Sequence, residues 1–159
     1  MRKCSKCSAL KVDSEFYPKH SKCKACSAVV FREYYLKNKR AIYERNKSWL
    51  YNRLATDPAY KIIHYTRTRV RDFLKSKGWS KNKNTLELVG CTAIEFKNHI
   101  EAQFKPGMTW DNYGKAWHVD HILPISSFSE CKLFEAFHYT NCQPLWAFEN
   151  FKKSNKISK

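Results

Sequence analysis

Hydrophobic positions repeat with helical spacing along the first half of the chain. Between about Ala28 and Ala55 there is no Pro or Gly, and apolar side chains recur at intervals of four and seven, as Phe31, Tyr35, Ile42 and Trp49. This spacing predicts a long helix whose apolar stripe packs in a core. Asp57-Pro58 is typical of an N-cap followed by the first residue of a helix, so a second helix is predicted from there to about Lys77, with Gly78 ending it.

The second half predicts shorter elements. Thr92-x-x-Glu95 is a capping box that opens a third helix, and Pro106-Gly107 is expected to end it. Polar and apolar residues alternate over residues 117–122, which predicts a strand, and residues 139–143 predict a second extended piece. A final helix is expected over residues 145–155. The order strand, long loop, strand, helix places the chain in the α+β class.

Composition indicates a folded protein with a basic surface that can bind a partner. Of 159 residues, 43% are hydrophobic and 15% aromatic, which argues against a disordered chain. The net charge of +16 is concentrated in residues 1–90, where 22 basic and 7 acidic side chains give +15. We therefore expect a polyanionic partner such as a nucleic acid, against the alternative of a basic surface that only confers solubility. The expected contacts are Arg40 and Arg45 on the first helix and Arg67, Arg69, Arg71 and Lys75 on the second.

Four of the seven cysteines form two short pairs. Cys4-x-x-Cys7 and Cys23-x-x-Cys26 are separated by fifteen residues, a spacing that lets four thiolates bind one structural Zn²⁺ tetrahedrally. Disulfides are the alternative, but the number of cysteines is odd and the start lacks the apolar stretch of a secretory signal. We expect three parts: a Cys4 zinc module (1–27), a basic helical DNA-binding region and linker (28–84), and a third domain (85–159).

A second group of residues suits a hard divalent ion. Asp120 and His121 are adjacent at the end of the first predicted strand, so their side chains project to different sides. If Asp120 and Asn150 supply oxygen ligands to the ion, His121 is free to take a proton from water. Lys153 lies three residues after Asn150 on one helical face, as a candidate phosphate-binding cation. Asn141 is expected to hold the loop that carries His121 through backbone hydrogen bonds.

Five stretches of the second half carry a family resemblance: Gly90-Cys91, Gly107–Trp110, Trp117–Pro124, Tyr139–Trp146 and Asn150-x-x-Lys153. Together, over about residues 88–157, they resemble the HNH endonucleases common in bacteriophages and mobile elements. At the last metal-ligand position of the motif this chain has Asn150 and not His, so it resembles the H-N-N subclass. Residues 126–137 depart from the pattern, and we expect them to form an inserted loop or short helix of unknown role between His121 and Asn141.

The resemblance implies a ββα-metal fold and a hydrolase that cuts phosphodiester bonds, with double-stranded DNA as its partner. It assigns Mg²⁺ (or Mn²⁺) to Asp120 and Asn150, the general base to His121, the orienting asparagine to Asn141 and a basic position to Lys153. We also expect a cytoplasmic protein of a bacterial cell, or one encoded by a phage, with no membrane partner, because no apolar run approaches the roughly 18 residues that span a bilayer. A monomeric nickase and a homodimer both remain open.

Alternatives stay open at this point. A zinc-knuckle protein that binds DNA or RNA without cleaving it is the main one, and RNA cleavage is another. His118 lies two residues before Asp120 and so shares its side of the strand. It is a structural donor, an added ligand or a phosphate contact, and we favour the structural role.

Overall fold

The computed structural model describes residues 1–81 and 83–156 and has two compact units, residues 1–50 and 51–159. Helices and small sheets are combined, which confirms the α+β class. Asn82 in the predicted polar linker lies outside the described residues, as do residues 157–159 at the end of the predicted third domain. The expected three-part division stays a prediction.

The first unit is built around buried cysteines. Strand β1 (Arg2–Lys3) pairs antiparallel with β2 (Leu10–Lys11), and a 3-10 turn follows at Asp13–Glu15. Its small core contains Cys4, Cys23 and Phe16. Helix α1 spans Lys24–Thr56, so it begins four residues earlier than predicted and includes Cys26.

Helix α1 does not bury the stripe that its sequence predicts. None of its residues is buried, and Phe31 and Trp49 are 69% and 55% exposed. The prediction that this stripe packs in a core is wrong. Periodicity reports which side chains share a helix face, whereas burial requires that another element cover that face. Exposed apolar residues also occupy neighbouring faces, as Leu36 and Tyr43 show.

The second helix agrees with its sequence signals. Helix α2 spans Pro58–Lys77, and the Asp57 side chain accepts a hydrogen bond from the backbone N–H of Tyr60 at 2.8 Å. Gly78 ends it in the left-handed conformation at φ 68°, which glycine adopts without strain. Its side chains Ile63, Val70 and Leu74 are buried.

Two short helices follow. Helix α3 (Thr85–Val89) was not predicted, although Asn84 and Glu87 form a capping box there. Helix α4 (Ala93–Glu101) opens with the predicted capping box, in which the Thr92 N–H donates to Glu95 Oε2 at 2.8 Å. It ends at Glu101 and not at Pro106, so its predicted end is wrong. Phe104 instead leaves the helical path and packs its ring on those of Trp110 and Trp117, at centroid distances of 5.3 and 4.9 Å.

Two strands and a helix form the end of the chain. Strand β3 (Trp117–His121) pairs antiparallel with β4 (Cys142–Trp146), with His121 opposite Cys142, and helix α6 (Ala147–Lys153) follows. The second strand and the last helix both start later than predicted, because Tyr139–Asn141 is a 3-10 turn. Pro144 is tolerated inside β4 because a two-stranded sheet leaves one edge of each strand unpaired.

The predicted insertion is part of the core. Residues 126–137 contain helix α5 (Leu133–Phe137), whose Leu133, Ala136 and Phe137 pack with Val70 and Leu74 of α2 in one hydrophobic cluster. A second cluster lies between α2, α4 and the sheet, with Ile62, Phe96, Ile100, Trp117 and Val119 among its members. Two cores therefore meet α2, and strand β3 lies against one of them.

Candidate functional site

The four paired cysteines come together in the first unit. The sulfur atoms of Cys4, Cys7, Cys23 and Cys26 all lie within 4.8 Å of one another. Four sulfurs at about 2.3 Å from one zinc ion would be separated by about 3.8 Å in a tetrahedron, so the cluster needs only a small contraction. Cys4 and Cys23 are buried, and all four thiols are free of disulfides. The cluster can therefore bind a structural zinc ion, as the spacing predicts.

Backbone groups around the cluster favour thiolates. The N–H groups of Cys23 and Lys6 donate to Cys4 Sγ at 3.3 and 3.4 Å. Backbone hydrogen bonds, first from Cys23 and then from Cys7, lower the pKa of Cys4 to about 5. Side-chain hydrogen bonds with Cys23 and then Cys7, together with burial, raise the pKa of Cys26 to about 12, so one thiol of the cluster favours the charged form and another the neutral form. A bound cation would relieve this conflict.

The second candidate site lies where α6 packs on β3. Lys153 of α6 is buried, and its Nζ lies 2.8 Å from Asp120 Oδ2 and 2.5 Å from the His121 carbonyl oxygen, to which it donates. Gln143 of β4, opposite Asp120 in the sheet, donates to the same Oδ2 at 3.2 Å. Lys153 is expected from the sequence to bind a phosphate. In the structure its ammonium group is instead enclosed by Asp120 and the backbone.

His121 points into the protein and is 7% exposed. Its ring contacts that of Phe137 edge to face, at a centroid distance of 5.6 Å. Burial lowers the pKa of His121 to about 3, assisted by the positive charges of Arg69 and Lys153 and opposed by Asp120. The imidazole is therefore neutral at physiological pH and can accept a proton, but its driving force as a base is weak in this environment.

Asn141 ties the segment after β3 to the rest of the unit. Its Oδ1 accepts from the Leu123 N–H at 2.8 Å, and its Nδ2 donates to the carbonyl oxygens of Leu123 and Ala136 at 3.1 and 3.0 Å. The backbone also contributes, since the Ile122 N–H donates to the Asn141 carbonyl at 2.8 Å. These bonds fix the two residues that follow His121, which is the kind of contact expected of Asn141.

Asn150 and His118 occupy half-buried positions. Asn150 lies one turn before Lys153 on α6, so the two residues share a face of that helix. His118 shares the strand face of Asp120 and lines a cavity of about 650 Å³ with Tyr65, Arg69 and Asp72. The structural role favoured for His118 stays a prediction.

The predicted DNA contacts differ in accessibility. Arg40 and Arg45 on α1 are exposed in the first unit, and Arg67, Arg71 and Lys75 on α2 are exposed in the second. Arg71 pairs with Asp72 at 3.0 Å. Arg69 instead donates from Nη1 to the Val119 carbonyl at 2.5 Å, so it braces strand β3. Helical spacing did not separate Arg69 from its neighbours because the position of β3 is set by the tertiary fold.

Sequence reasoning missed two residues that shape this site, Gln143 and Phe137. Gln143 lies in a predicted extended segment, but the sequence does not show which residue of the other strand is opposite it. Phe137 lies in the segment 126–137 that is expected to be an insertion. An aromatic residue four positions before Asn141 was the available signal for a core contact.

The fold and the two sites define a small α+β protein with a four-cysteine cluster in its first unit. The chain is 30% identical to the uncharacterized protein L246 of Acanthamoeba polyphaga mimivirus over 212 aligned positions, which cover 98% of this chain and 90% of that protein. The chain belongs to the family of this mimivirus protein. It is also 28% identical to the uncharacterized protein L426 of the same virus, over 87% of this chain and 72% of that protein.

No family model and no solved structure matches the chain. Both relatives are viral, whereas the bacterial host and the phage origin stay predictions. Within residues 1–81 and 83–156, no helix combines the length and the apolar character needed to cross a membrane.

Proposed function

We propose that the protein is a metal-dependent DNA endonuclease of the HNH type, with a structural zinc ion in its first unit. The observation that carries the proposal is the β3–β4–α6 arrangement, in which Asp120 and His121 end one strand and α6 returns to them through Lys153. Asn141 braces the segment immediately after His121. These contacts join residues that are far apart in sequence, and they support the proposal together with the resemblance to HNH endonucleases.

The oxygen donors at this site fit a hard divalent ion. Mg²⁺ binds through one or two carboxylates together with water and substrate phosphates, and the side chains of Asp120 and Asn150 supply oxygen atoms of this kind. Among the described residues, Lys153 and Gln143 contact Oδ2 of Asp120, which leaves Oδ1 to bind the ion. When bound, Mg²⁺ would stabilise negative charge on the phosphate being cleaved.

The remaining roles belong to this chain's own side chains. The neutral imidazole of His121 takes a proton from the attacking water, and Asn141 holds the adjoining backbone so that the ring keeps its orientation. Lys153 orients Asp120 and the His121 carbonyl from behind. The exposed cations of α1 and α2 supply phosphate contacts that hold double-stranded DNA.

The experiment is cleavage of supercoiled plasmid DNA by the zinc-loaded full chain with added Mg²⁺. We expect His121→Ala to abolish cleavage while DNA affinity stays within about twofold, because an imidazole that acts on water contributes little to phosphate neutralisation. Asp120→Ala and Asn150→Ala should both lose the response to Mg²⁺. His64→Ala in α2 is the matched control and should cleave like the wild type. Equal turnover of His121→Ala and His64→Ala would refute the assignment of the base.

A second function is favoured by one observation. Lys153 already neutralises Asp120, and His121 is largely enclosed, an arrangement that also suits a scaffold that binds DNA without cutting it. In that case the wild type would bind DNA with a strong salt dependence and leave plasmid intact under Mg²⁺ and Mn²⁺ alike. Mapping of the ends of any cleaved DNA, with RNA of equal length as a competing substrate, distinguishes DNA cleavage, RNA cleavage and binding alone.

A further inference from the structure

An aromatic groove lies in the first unit between the loop that precedes α1 and the first turns of that helix. It encloses about 640 Å³, and the side chains that define it are Tyr17, His20, Lys22, Phe31 and Tyr34. Tyr17 and His20 meet edge to face at a centroid distance of 5.9 Å. Phe31 and Tyr34 are 69% and 57% exposed. Exposed aromatic groups gathered in a concave site indicate a ligand more often than scattered ones do.

The charge around the groove selects the kind of ligand. Lys22 lines it, and the Nζ of Lys24 lies 5.6 Å from the centre of the Tyr17 ring. Residues 1–50 contain 13 basic and 4 acidic side chains, a net charge of +9. This charge opposes the docking of a second copy of the chain on the same face, and it attracts a polyanion.

We propose that the groove binds an unpaired nucleobase of single-stranded DNA, with Tyr34 and Phe31 stacking on the base and Lys22 contacting a neighbouring phosphate. Every base offers a flat π-face, so aromatic side chains beside cations bind single strands with little sequence preference. The groove is within the size range of pockets that hold a small organic group, and so admits a base with its sugar. Paired bases are stacked within a duplex and do not reach such a groove.

This site is independent of the proposed nuclease activity. It lies wholly in the first unit, and its residues are not those assigned to the ion or to His121. Binding is therefore measured without added Mg²⁺, and a failure to cleave DNA leaves the result unaffected.

The experiment is fluorescence anisotropy of the zinc-loaded full chain with fluorescein-labelled oligothymidylate of about 12 nucleotides. A second probe is an abasic strand of the same length, which carries the same phosphates and no bases. The variants are Tyr34→Ala and Phe31→Ala. The matched control is Tyr43→Ala, since Tyr43 is exposed on the same helix, lies outside the groove and has Lys47 Nζ 5.9 Å from its ring centre.

We expect Tyr34→Ala and Phe31→Ala to weaken oligothymidylate binding about tenfold and Tyr43→Ala to change it less than about twofold. None of the three should alter binding of the abasic strand. Tyr34→Phe keeps the ring and should bind like the wild type, and zinc content with circular dichroism checks the fold of each variant.

Three results would overturn the proposal. They are unchanged oligothymidylate binding by Tyr34→Ala, equal losses for Tyr34→Ala and Tyr43→Ala, and an equal loss on the abasic strand. A dimer of the wild type that Tyr34→Ala dissociates, with no effect on DNA, would assign the groove to a second copy of the chain instead.

Discussion

Replacing Lys153 with methionine tests the contact that joins α6 to β3. The Lys153 side chain is 5% exposed and that of Asp120 is 12% exposed, and their charged atoms are 2.8 Å apart. Lys153→Met keeps most of the side-chain volume and leaves the Asp120 carboxylate enclosed without its cation. It also removes the donor to the His121 carbonyl oxygen.

The expected loss of stability follows from this burial. Removal of one partner of a buried ion pair costs about 3–5 kcal/mol, because the other charge stays desolvated and unpaired. The Asp120 side chain keeps some access to water and a hydrogen bond from Gln143, so we expect a value near the lower limit, about 3 kcal/mol. For a unit of this size that corresponds to a fall in Tm of roughly 10 °C.

The assay is thermal unfolding followed by circular dichroism, with Lys152→Met as the matched control because Lys152 is exposed on the same helix. Lys152→Met should change the free energy of unfolding by less than about 0.5 kcal/mol. In an Asp120→Asn background the cost of Lys153→Met should fall by about 2 kcal/mol, since no unpaired charge then remains. Equal Tm values for the two methionine variants would refute the reasoning.

Three further predictions concern the zinc cluster, a close approach and a brace. Elemental analysis should find one zinc ion per chain in the wild type. The ion should be lost in Cys4→Ser and kept in the control Cys91→Ser. Absence of zinc from both the wild type and Cys91→Ser would contradict a metal site at the cluster. Gly90→Ala should lower the free energy of unfolding, measured with urea, by about 3 kcal/mol. The φ angle of Gly90 is 78°, and an added Cβ would lie 2.4 Å from the His138 ring. Gly78→Ala has a similar φ but meets no atom within 4 Å and should cost only about 1 kcal/mol. Asn141→Ala loses three hydrogen bonds and should destabilise the chain by about 2–3 kcal/mol in the same assay, and a loss below about 0.5 kcal/mol would contradict its bracing role.

Local signals determined several elements of this protein from the sequence alone. The N-cap Asp57 and the terminating Gly78 set the limits of α2, and Thr92 with Glu95 set the start of α4. Each involves residues within a few positions of one another, so the chemistry of the side chain and the nearest turn of backbone is sufficient. Each Cys-x-x-Cys pair is local in the same sense, whereas the meeting of the two pairs was predicted from the four ligands that a structural zinc ion requires.

The tertiary structure decided the contacts between distant residues. The apolar stripe of α1 stays exposed because no element of the described chain buries it. The sequence of the helix alone does not show whether another element covers that face. Residues 126–137, expected as an insertion, supply part of a core because α2 passes beside them. Lys153 pairs with Asp120 across 33 positions only because α6 folds back onto β3. Periodicity and motif spacing describe one segment at a time, whereas burial and ion pairing depend on which segments meet.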